Sequence, residues 1–105
     1  MTLARLALES ALATEGVVST DAGPVGTRVT RGGGGRLRGV VAAARADGRY
    51  GIELHLVTRV VPLHPLAARV RAGVGQAARV AGLAESLGPI DITIDDVAET
   101  EGAVV

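Results

Sequence analysis

The chain has no cysteine, no lysine, no tryptophan and no phenylalanine. Without cysteine there is no disulfide framework, no thiolate metal site and no thiol nucleophile. Tyr50 is the one aromatic residue, so the stacking platforms that bind single-stranded nucleic acid are missing. No apolar run approaches the ~20 residues needed to span a bilayer. The opening MTLARLALESALA lacks the basic start of a secretory signal, and Arg5 and Glu9 interrupt its apolar run. A soluble chain is the expectation.

Within 105 residues, 48% are apolar, and much of that is Ala and Val. Such a chain makes one domain, residues 1–105, with a thin core, and self-association is expected. Net charge is zero but uneven. Residues 1–50 hold seven Arg against four acids, a surplus of +3, and residues 51–105 hold four against seven, −3. All eleven basic residues are Arg. With the Ala, Gly and Val load, this reads as the codon bias of a GC-rich genome, not as phosphate recognition.

Periodicity predicts a first helix over Leu3 to Thr14, capped by Thr2, with Leu3, Leu6, Ala7, Ser10 and Ala11 on one face. Residues 19–38, with Gly32 to Gly35, read as a flexible Gly-rich loop holding a short strand at Thr27 to Thr30. A hairpin follows, Val40 to Ala46 and Arg49 to Val61, closed by a two-residue Asp47-Gly48 turn. That turn sets Ala43 opposite Ile52 and Val41 opposite Leu54. Tyr50, Ile52, Leu54, Leu56, Thr58 and Val60 form the core face, and Gly51, Glu53, His55, Val57 and Arg59 the wet one. Pro62 and Pro65 open a second helix over Leu63 to Leu87, with Leu63, Leu66, Val70, Val74, Ala77 and Ala81 on one arc. Ile90, Ile92 and Ile94 alternate with Asp91, Thr93 and Asp95 in a last strand, and residues 98–105 read as a frayed acidic tail. The fold class is α+β: two layers, a short mixed sheet with two helices on one face, in the order helix-strand-strand-helix-strand.

Candidate chemistry is sparse. Glu53 and His55 suggest a general base and its orienting partner. Yet i,i+2 strand neighbours stand ~7 Å apart, so these residues and Arg59 read as a solvated sheet face. His55 and His64 lack the spacing of a metal site. Gly32 to Gly35 precede a strand and no Gly-Lys-Ser/Thr follows, so they are not a phosphate loop. Arg28, Arg31, Arg36 and Arg38, within the Arg-rich segment 28–49, form a candidate anionic-ligand patch, for RNA or lipid headgroups. Ala68, Ala72, Gly75 and Arg79 line one side of the second helix and form a candidate interaction surface, where Gly73 and Gly75 suggest close helix approach.

The run DGRYGIELHLVTRVVPLHPLAARVRAGVGQAARVAGL, followed by IDITIDDV, resembles the alkaline shock protein (envelope stress response) family of Gram-positive bacteria. Gly82-Leu83 match that family's helix-ending pair, Ile90 to Val97 its final strand, and LALESALATEGVV its first helix. The resemblance spans most of residues 3–98. It departs in lacking the strand that often precedes the first helix and in the glycine run at 32–35. It implies a cytoplasmic, non-enzymatic protein, and the residue content adds the expectation of no metal and no cofactor. Such a protein would self-associate or be held peripherally at the membrane by an anchored protein partner, and it would serve envelope homeostasis. No catalytic residues carry over.

Overall fold

Apolar residues at every second position fix the centre of this molecule. The computed structural model describes residues 2–21, 29–32 and 35–98, and of 29–32 and 35–37 the backbone alone. Its elements run α1 (Thr2–Leu12), β1 (Val17–Thr20), β2 (Val29–Gly32), β3 (Gly35–Arg38), β4 (Val40–Ala44), β5 (Tyr50–Thr58), α2 (Leu63–Val80) and β6 (Leu87–Val97). The fold is two-layer α+β with a mixed sheet: β6 pairs parallel to β5, while β1 and β4 pair antiparallel to it.

Ile52, Leu54, Leu56 and Thr58 are buried along β5, as the alternation requires. Tyr50 and Val60, expected on the same buried face, are exposed: Tyr50 is the first residue of β5 and Val60 lies two residues past its end. Leu66, Val70, Val74 and Ala78 from α2 and Leu3, Ala4, Ala7 and Ala11 from α1 complete the core. The alanines let α1 lie close to the sheet. Close approach also accounts for Gly73: a Cβ there would stand 3.1 Å from Ser10 Oγ of α1.

Local geometry departs from the sequence expectations at three places. The hairpin turn has three loop residues, not two. Gly48 N–H donates to Arg45 O at 3.1 Å, Arg45 N–H to Arg49 O at 2.8 Å, and Gly48 takes φ +85°. This is a turn followed by a left-handed residue, the usual three-residue loop. It slips the register by one, so Val40 faces Leu54 and Ala42 faces Ile52, and both turn to the core side. Val41, paired with Glu53, turns to the open side.

The second helix ends at Val80, not near Leu87. Gly82, φ +75°, donates to Arg79 O, and Leu83 N–H reaches back to Ala78 O at 2.8 Å. These two bonds satisfy orphan carbonyls in a Schellman closure, which needs glycine in its left-handed position. After a 3-10 turn at Ala84–Ser86 the chain enters β6 at Leu87.

The segment expected to be a loop, residues 19–38, contains the end of β1 and all of β2 and β3, with β2 and β3 forming an antiparallel hairpin. Part of the expected strand at 27–30 and the tail from residue 99 lie outside the described residues. β1 and β4 occupy the same edge of β5, at Leu56–Thr58 and at Tyr50–Leu54 respectively. They are two pieces of one interrupted strand, with β2 and β3 between them in chain order. The His55 peptide bridges the gap, accepting from Asp21 N–H and donating to Gly39 O, both at 2.9 Å. Thr20 Oγ1 donates to Arg38 O at 2.9 Å beside it.

Candidate functional site: the open face of the sheet

Helices cover one face of the sheet. On the other, β5 presents Gly51, Glu53, His55 and Val57, β4 presents Val41 and Ala43, and β6 presents Asp91, Thr93 and Asp95. Cross-strand rows follow from the register: Val41, Glu53 and Asp91 form one, and His55 meets Thr93 in the next.

His55 corrects the expectation of a solvated strand face. It is 2% exposed. Its Nε2 contacts Glu53 Oε2, and its Nδ1 lies 3.4 Å from Asp95 Oδ2. The ~7 Å between i,i+2 positions is closed by side chains that lean along the strand. Asp95 arrives from β6, 40 residues along the chain, so no local spacing signals it. The result is a line of three groups, from Asp95 through the imidazole to the half-exposed Glu53.

The two carboxylates approach opposite ring nitrogens, so no shared point between them serves as a metal position. Among the described residues no group of three His, Asp or Glu side chains is placed to hold a metal ion. His64 is exposed in the first turn of α2. Arg59 is exposed just past the end of β5.

At the hairpin end of the open face, Arg45 and Asp47 form an ion pair, Nε to Oδ2 at 3.6 Å. Arg49 N–H donates to Asp47 Oδ1 at 3.0 Å, and that bond, with help from Arg45, holds the exposed Asp47 carboxyl below its usual value. A shallow cavity of about 200 Å³ lies between Arg45 and the Glu53–Asp91 pair.

Of the candidate interaction surface, Ala68, Ala72 and Arg79 are exposed and Gly75 half-buried. Among the described residues a Cβ on Gly75 would meet only Arg79 Nη1, at 4.0 Å, so no close packing against them explains this glycine. Of the candidate anionic-ligand patch, Arg28 lies outside the described residues. Hairpin register sets Arg31 opposite Arg36 and Arg38 opposite Val29. Among the described residues no helix is long and apolar enough to cross a membrane.

No family model, no curated protein and no solved structure matches this chain.

Proposed function

We propose that this chain is a non-catalytic interaction protein. It acts in cell-envelope homeostasis, as its resemblance to the alkaline shock family implies, through self-association or a membrane-anchored protein partner. One observation carries the reading. His55, the group best suited to acid–base work, is buried with both ring nitrogens occupied by carboxylates. A general base needs a free position within reach of the proton it takes. Exposed apolar residues support the contact role: Val18, Val60 and Val97 gather at the end of the sheet where β5 stops, Val60 being 73% exposed.

Purification from the native cell with membranes retained, followed by light scattering, tests this reading. An oligomer, or a membrane protein recovered in stoichiometric amount, is the expected outcome. A catalytic turnover lost on His55→Gln overturns it, as does a monomer without a partner.

A second reading is a small module that binds an anionic ligand such as RNA through segment 28–49. The register favours it by setting Arg31 opposite Arg36, two residues before Arg38. Retention on heparin that weakens steeply with salt is its signature, and no retention at low salt removes it.

A further inference from the structure

The cavity on the open face is built from small residues and charges of both signs. Ala43 and Gly51 face each other across β4 and β5 and leave its floor shallow. Glu53 and Asp91, cross-strand partners, supply two carboxylates on one side. Arg45 supplies the other.

Arg45 is seated there by two glycines. A Cβ on Gly51 would stand 3.7 Å from Arg45 Cδ, and one on Gly88 would stand 3.0 Å from the same atom. The arginine stem therefore lies over backbone that carries no side chain. Asp47 holds its Nε. The terminal guanidinium nitrogens have no partner other than Asp47 among the described residues, and the Asp91 carboxylate has none. Glu53 is fixed from behind by His55, which is backed in turn by Asp95.

Like charges directly opposite each other across two strands are destabilising. Glu53 and Asp91 stand in that relation without a neutralising cation in their row. A ligand that brings an ammonium to this pair and an anionic group to Arg45 satisfies both ends at once. The volume of about 200 Å³ falls below the ~300–1,000 Å³ of pockets for drug-sized ligands. It suits a molecule of a few heavy atoms.

We propose that this cavity binds a small zwitterion of the α-amino-acid type, with its ammonium between Glu53 and Asp91 and its carboxylate on Arg45. This binding does not depend on the interaction role proposed above, and either stands if the other fails.

The test is amide chemical-shift titration of the full, isotope-labelled chain at constant ionic strength. The probes are L-alanine, ethylamine, which carries only the cation, and propionate, which carries only the anion. Alanine shifts Gly51, Glu53 and Asp91 saturably, with a dissociation constant on the order of 1 mM. Ethylamine and propionate bind about tenfold or more weakly, each lacking one charge-assisted contact. Asp91→Asn and Arg45→Met, both at exposed positions, weaken alanine binding by a similar factor. Three results overturn the proposal: no saturable shift with alanine, a single-charge probe that binds as well as alanine, or variants that bind it unchanged.

Discussion

Nδ1 of His55 lies 3.4 Å from Oδ2 of Asp95, a contact that ties the central strand to the parallel strand beside it. Glu53 holds the other side of the ring. The imidazole thus fills the polar centre of a sheet face that neither α1 nor α2 covers. Its removal takes one contact from Asp95, whose side chain is 12% exposed.

His55→Ala is expected to destabilise the fold by about 2–4 kcal/mol, from the lost pairing and the space left behind. Asp95→Asn costs more than Glu53→Gln, because water reaches the 47%-exposed Glu53 side chain and not the Asp95 side chain to the same degree. Urea denaturation of the three variants measures the order. Equal losses for Asp95 and Glu53 refute it.

Gly39 and Gly82 both hold positive φ but stand in different surroundings. At Gly82 an added Cβ meets nothing within 4 Å, so Gly82→Ala costs only its backbone strain, about 1 kcal/mol. At Gly39 the Cβ would stand 2.5 Å from Thr20 Cβ and 2.9 Å from Asp21 N, so Gly39→Ala costs about 3 kcal/mol or more. Thermal unfolding of the pair checks the ranking.

Gly75→Ala raises stability by up to ~1 kcal/mol, since alanine is the better helix former and the site has room. Light scattering on the same variant reports on the Ala68, Ala72, Gly75 and Arg79 surface. If that surface mediates close self-association, the added methyl lowers oligomer mass while the folded protomer becomes more stable. An unchanged mass removes the surface from the interface.

Asp47 sets a pH dependence with a definite sign. The Arg49 N–H, and then Arg45, hold its carboxyl below the usual value in the folded chain. Its contribution is present above the unfolded-state value and is lost as pH falls through the folded one, that is, below about pH 4. Carboxyl-carbon NMR titration follows the group directly. Asp47→Asn flattens the stability change in that acid window, and an Asp47 that titrates at or above its ordinary value contradicts the turn geometry.

Much of the fold was legible because side-chain parity is local. Ile52, Leu54 and Leu56 specify a buried strand face by alternation alone, and Leu66, Val70 and Val74 specify a helix face by their spacing. The hairpin register was less legible. Asp-Gly is compatible with loops of two or three residues, and the choice falls to the pairing that sends Val40 into the core. Of the open-face site, Glu53 and His55 were visible as candidates. Arg45 was visible only as a member of the Arg-rich segment, not as a neighbour of Glu53, and Asp95 was not visible, because their places depend on strand pairing and on room above Gly51 and Gly88.

By itself the sequence determined the periodic elements, a small mixed α+β arrangement and a chain poor in reactive groups, since these rest on residue type and spacing. Tertiary structure alone decided that β1 and β4 form one interrupted edge, with His55 stitching the gap between Asp21 and Gly39. It also decided that His55 is buried between two carboxylates and is not solvated. Both depend on pairing between residues far apart in the chain, where the gain from burial and hydrogen bonding must exceed the entropy of closing long loops.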